Sequence, residues 1–79
     1  MVQETKERET MDNACFDIMT QMEKKADFLY RAVDTYIRDA ESTNRNGLAQ
    51  VWNTIKEDEK RHLQMLKQEL EKEVKAGKL

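Results

Sequence analysis

Proline is absent from this chain of 79 residues, and glycine occurs only twice. Because proline and glycine punctuate strands and tight turns, their scarcity removes most of the signals that a β-protein would show. The sequence is instead rich in Glu, Lys, Gln, Arg, Met and Ala, which favour helices. The chain is therefore predicted to be all-α.

The single cysteine, Cys15, excludes an internal disulfide framework and a Cys-x-x-Cys metal site. No apolar run is long enough to cross a bilayer, and no signal peptide is recognisable, so we expect no membrane partner and a cytoplasmic location. The net charge is -2, with acidic residues spread through the chain. A nucleic-acid partner is therefore not expected, which disfavours a small RNA-binding helical regulator.

Two segments with helical periodicity are separated by a cluster of cap and turn residues at 42–47. The pattern predicts a helix over about 10–41, a turn over about 42–47 and a helix over about 48–76. These elements form a single domain, residues 10–79, which is an antiparallel helical hairpin. Residues 1–9 have no apolar face and are predicted to be a polar tail.

A hairpin of two helices encloses little interior, so both apolar faces need another partner. Two copies related by a two-fold axis would complete a four-helix bundle. We therefore expect a homodimer or a higher homo-oligomer.

Glu59 and His62 stand three residues apart, which makes them neighbours on one helical face. Glu59 falls near the middle of an otherwise apolar arc of about 120°, and His62 lies toward its side. Six residues form the rest of that arc: Leu48, Val51, Ile55, Leu63, Leu66 and Leu70. A carboxylate in such a place is costly to desolvate unless it is neutralised, paired or bound to a metal.

Glu23 is a similar exception in the first helix. It interrupts a row of residues spaced by seven that is otherwise apolar or aromatic, namely Phe16, Tyr30 and Ile37. Two copies of Glu23, Glu59 and His62 would bring four carboxylates and two imidazoles into one bundle. That set is the ligand inventory of a di-iron or di-manganese carboxylate site.

At these residues the chain resembles the ferritin-like superfamily, in particular its rubrerythrin-like branch. Glu23, Ala26 and Tyr30 are similar to that family's first-helix pattern, and Glu59-Lys60-Arg61-His62 to its second. The resemblance implies that Glu23, Glu59 and His62 are the metal ligands and catalytic residues, with Tyr30 hydrogen-bonded to a ligand carboxylate. Asp27, one turn after Glu23, is the reserve ligand.

A chain with two helices is most similar to the encapsulated ferritins, which complete their site between two subunits. The resemblance implies a ferroxidase that binds two iron ions per dimer, with manganese or zinc as other metals. It also implies an encapsulin-type shell as a partner and a protein nanocompartment as a location. Two alternatives stay open: peroxide reduction with an external reductant, and a purely structural helical association module without metal.

Overall fold

The computed structural model describes residues 12–78, and every regular element in that range is helical. The predicted all-α hairpin is thus confirmed, whereas the predicted tail at 1–9 lies outside the described residues. In chain order the elements are α1 (Asn13–Asp27), a π-helical turn (Phe28–Ala32), α2 (Val33–Ser42) and α3 (Asn46–Lys75). The first three form one long helix that packs antiparallel against α3.

Local hydrogen bonds explain where the first helix begins and ends. The side chain of Asp12 accepts a hydrogen bond from the backbone N–H of Ala14 at 2.8 Å, which caps α1. At the other end Asn44 has a φ of 63°, and the N–H of Arg45 donates to the carbonyl of Ala40 at 2.8 Å. These are the marks of a Schellman motif, in which a left-handed residue satisfies the last free carbonyls.

The hairpin turn is shorter than the sequence predicts. Asn46 and Gly47, which belong to the predicted turn, already form the first turn of α3. α3 ends at Lys75, close to the predicted end of the helix at about residue 76. Just beyond it, Gly77 takes a φ of 75° and the N–H of Lys78 donates to the carbonyl of Glu73 at 2.9 Å.

The π-helical turn interrupts the long helix near its middle. The N–H of Val33 donates to the carbonyl of Phe28, five residues earlier, instead of four. One extra residue in a turn rotates the following side chains by about 100° relative to an unbroken α-helix. Phe28 then packs edge-on against Tyr36, at 6.2 Å between ring centroids, and Tyr36 lies 5.0 Å from Trp52 of α3.

The hairpin is one helix layer thick. Its principal extents are 52 × 28 × 14 Å, and the shortest is close to the diameter of a single helix, about 10–12 Å. Only four of the described apolar residues are buried: Cys15, Val33, Ala40 and Ala49. Several large apolar side chains are exposed, among them Phe16, Met19, Tyr36, Leu48, Val51, Ile55 and Met65. Between residues 12 and 78, no helix combines the length and apolar character needed to cross a membrane.

The left-handed conformation of Asn44 gives a test of the turn. Asn44→Val should lower the free energy of unfolding by about 1–2 kcal/mol, because a β-branched residue is strained at positive φ. Asn44→Gly should cost almost nothing, since glycine adopts this conformation freely. Urea unfolding at one fixed protein concentration measures both changes. Asn46→Val, placed in the right-handed first turn of α3, is the control and should cost less than Asn44→Val; equal losses would contradict the assignment.

Candidate functional site

Glu59 and His62 meet as their spacing predicts. The Oε1 atom of Glu59 lies 3.1 Å from Nδ1 of His62, one helical turn further along α3. The side chain of Glu59 is 22% exposed and that of His62 is 46% exposed. The carboxylate is thus largely withdrawn from water, while the imidazole stands at the edge of the hairpin.

The partner of Glu59 from the first helix is Lys25. Its Nζ atom lies 3.4 Å from the same Oε1 atom, and its side chain is only 21% exposed. The ammonium group therefore neutralises the carboxylate that the sequence places in an apolar arc. A lysine can do this because its long apolar stem crosses the seam while its charged end reaches the acid.

Glu23 is not brought to this pair within one chain. It is exposed, and it lies two residues before Lys25, so the two side chains point about 160° apart around α1. Since Lys25 points toward Glu59, Glu23 points to the opposite side of the hairpin. A role of Glu23 as a metal ligand would therefore need a second copy of the chain, and it stays a prediction.

Asp27 and Tyr30 also lie apart from Glu59 and His62. Asp27 is exposed and pairs with Arg31 at 3.3 Å within its own helix. Tyr30 is the central residue of the π-helical turn and is 82% exposed. Single-turn π-helices inside α-helices occur frequently at functional sites, and this one lies within the predicted site pattern of the first helix.

The surroundings of the pair are apolar and uncovered. Val51, Ile55 and His62 are spaced by four and seven residues, which places them on one side of α3. Val51 and Ile55 are both exposed in the single chain. The Glu59–His62 pair therefore lies at the end of an exposed apolar stripe on α3.

The contact between His62 and Glu59 is a hydrogen bond, and its length is also close to the separation of two ligands on one metal ion. Two ligand bonds of about 2.1 Å at about 90° would hold an oxygen and a nitrogen about 3.0 Å apart, close to the observed separation. Carboxylate oxygen and imidazole nitrogen together accept iron, manganese or zinc. The ammonium of Lys25 at Oε1 would repel a cation bound to the same carboxylate, so it weakens metal binding at this pair unless it moves away.

A second cluster of ligand-type side chains lies at the open end of the hairpin. Donor atoms of Asp12, Cys15 and Glu73 all lie within 4.8 Å of one another, although Glu73 is far from the others in sequence. The buried thiol of Cys15 donates to Oε1 of Glu73 at 3.6 Å. Burial, with a further contribution from the Glu73 carboxylate, raises the pKa of Cys15. With Asp12 engaged in capping α1, the cluster acts as a clasp between the helices.

Sequence reasoning did not find Lys25 or this clasp. Cys15 is fully buried between the helices. Its contact with Glu73 depends on how far one helix is shifted along the other, which no local pattern records. The role of Lys25 depends in the same way on the rotation of α1.

Comparison of this chain with protein-family models, with curated proteins and with solved structures finds no match. The ferritin-like resemblance therefore depends on the residues quoted above and stays a prediction.

The clasp predicts a slowly reacting thiol. In the folded protein at pH 7, Cys15 should react with a thiol reagent far more slowly than in the urea-unfolded chain, because its raised pKa keeps it protonated and its burial blocks access. The rate should rise with pH, and Glu73→Gln should increase it by removing a nearby negative charge. Equal rates in folded and unfolded protein would show that the thiol is accessible and the clasp open.

Proposed function

We propose that this chain binds iron between two copies of its hairpin and oxidises Fe(II) there. The observation that carries the proposal is the Glu59–His62 pair, whose oxygen and nitrogen atoms lie 3.1 Å apart on an otherwise apolar helix face. The pair is already oriented in the single chain, so little side-chain entropy is lost when a metal binds.

The thickness of the molecule supports self-association. A layer one helix thick leaves large apolar side chains uncovered on α3, and water contact with them is unfavourable by about 25 cal/mol per Å². Pairing two hairpins through the face with Val51, Ile55 and His62 would bury these residues. It would also withdraw Glu59 and His62 further from water, which strengthens any charge interaction there.

The ligand set of the proposal comes from both copies. A two-fold axis near the pair adds a second Glu59 and a second His62, giving two carboxylates and two imidazoles. This set holds about one iron per dimer, whereas a contribution from Glu23 would raise the number to about two. Glu23 is not included in the set, because the single chain holds it on the other side of the hairpin.

The choice of iron and of its oxidation comes from the ferritin-like resemblance. Fe(II) is the substrate in this proposal, and dioxygen or peroxide accepts its electron. The carboxylates of Glu59 favour the more highly charged Fe(III), and the imidazoles of His62 complete the ligand set. Peroxide reduction is disfavoured relative to Fe(II) oxidation, because it needs a supply of electrons. With one cysteine, the sequence has no Cys-x-x-Cys pair for a second iron centre that would supply them.

Lys25 favours a second candidate, a structural association module without metal. Its ammonium already occupies the cation position beside Glu59 and removes the need for a metal to neutralise the carboxylate. In that case Lys25, Glu59 and His62 would set the alignment of the helices and of the two copies. The two candidates differ in what removal of Lys25 does.

The first experiment measures iron retained after anaerobic loading with Fe(II) and desalting. The wild type should retain iron and turn it ferric on exposure to oxygen or peroxide, and Glu59→Ala should lose it, because the most buried ligand is gone. Glu23→Ala is the matched control and should retain iron. Iron loss in Glu23→Ala would restore Glu23 to the ligand set, whereas no retained iron in the wild type would end the metal proposal.

A second experiment separates the metal site from the association module. Lys25→Met keeps the apolar stem and removes the ammonium, so the metal proposal expects Fe(II) or Mn(II) to bind several-fold more tightly. The module expects no metal binding and a less stable protein, because Glu59 loses its counter-charge. Titration with Fe(II) or Mn(II) measures the affinity for metal, and thermal unfolding with and without metal measures the stability. Lys24→Met, one residue earlier on the exposed side of α1, is the control and should change neither.

A further inference from the structure

The side of the hairpin away from Lys25 carries a groove between the first helix and α3. Leu29 and Leu63 form its floor, and its volume is about 400 Å³. Its rim holds Tyr30 from the first helix and three lysines of α3, Lys56, Lys60 and Lys67. We call this the lysine groove.

Acidic residues lie beside the lysine groove on the first helix. Within α1, Glu23 points about 160° away from Lys25, which places it on the groove side of the first helix. Asp34 reaches the groove directly, since its Oδ1 atom lies 2.8 Å from Nζ of Lys56. The same face therefore carries negative charge on the first helix and positive charge on α3.

From this arrangement we propose that the lysine groove is a second self-association surface, which binds the same face of another copy of this chain. A two-fold axis parallel to the hairpin places the first helix of each copy against α3 of the other. Acidic residues then face basic ones in both directions, as an isologous interface requires. Exposed Tyr30 and Phe16, which is seven residues before Glu23, supply apolar area to the same contact.

The residues that meet across this interface can be found from how far α3 is displaced along the first helix. Cys15 lies beside Glu73 and Lys25 beside Glu59, which puts Glu23 level with residues 61 to 65 of α3. Lys67 is therefore about 3–9 Å further along the helix axis, within reach of two long side chains. A two-fold axis parallel to the hairpin preserves these levels, which brings Glu23 of one copy near Lys67 of the other. Among residues 12–78, neither side chain has an oppositely charged group within 4.0 Å in its own chain.

The inference gives Glu23 a role that does not depend on metal. It also makes assembly beyond a dimer the expected state, because the lysine groove and the Glu59–His62 face lie on opposite sides of the hairpin. A copy bound at one face leaves the other available to a third copy. Reversing the charge of either Glu23 or Lys67 should therefore break the contact at the lysine groove and leave the contact at the Glu59–His62 face intact.

The test is a charge exchange read by sedimentation velocity and native mass spectrometry. Wild type should form assemblies larger than a dimer that shrink at high salt, since the contact is partly electrostatic. Glu23→Lys and Lys67→Glu should each reduce the assembly at least twofold in mass, and the double variant should restore it, because the pair is re-formed with its charges exchanged. Lys24→Glu is the control: it makes the same change of charge as Lys67→Glu outside the groove and should leave the mass unchanged.

The outcomes also separate this surface from the proposed metal site. Single variants that stop at a dimer and still bind iron would support both surfaces, and single variants that fall to monomers would support the lysine groove as the main interface. Single variants that keep the wild-type mass, or a double variant that fails to regain it, would overturn the inference. A wild type no larger than a dimer that is unaffected by either charge reversal would overturn it as well.

Discussion

Two packed helices touch along a single line, and this constraint decides which side chains of the molecule can be buried. Only side chains on that line can be buried, and the four that are buried among residues 12–78 are small: Cys15, Val33, Ala40 and Ala49. Small side chains let the backbones approach closely, but they remove little apolar area from water. The remaining large apolar residues keep their contact with water in the single chain, so the interior of the hairpin contributes little hydrophobic stabilisation.

Electrostatics along the line of contact follow from the same constraint. Glu59 is close enough to the seam to lose most of its water, and the nearest cation that the fold supplies is Lys25. Asp34 and Lys56 make a comparable contact further toward the turn, where the ammonium holds the pKa of Asp34 below its ordinary value. That contribution to stability is present above the ordinary pKa of an aspartate and is lost as the pH falls through its lowered value. The interhelical ion pairs thus favour one alignment of the helices even where the apolar contact is thin.

Local features of the sequence predicted the fold well. The helices, the turn and the stop at Gly77 depend on propensities and caps within a few residues, which a sequence shows directly. Residues Glu59 and His62 were also placed correctly next to each other, because their spacing lies within one helix. Lys25 and the Cys15–Glu73 contact could not be predicted, since they depend on the rotation and shift of two helices. The π-helical turn at Phe28–Ala32 adds to this difficulty, because an extra residue in one turn changes the phase of everything after it.

The buried alanines beside the turn have a consequence for the shape of the hairpin. Ala40 and Ala49 are both almost fully buried where the two helices come together at the turn. Methyl groups thus set the distance between the helices at this end, and the clasp of Cys15 and Glu73 sets it at the other. A larger side chain at either alanine would act as a wedge that splays the hairpin while its secondary structure survives. Because the two outer faces of the hairpin are inclined to each other by that splay, the two alanine methyl groups also fix how the apolar stripe of α3 and the lysine groove are oriented relative to each other.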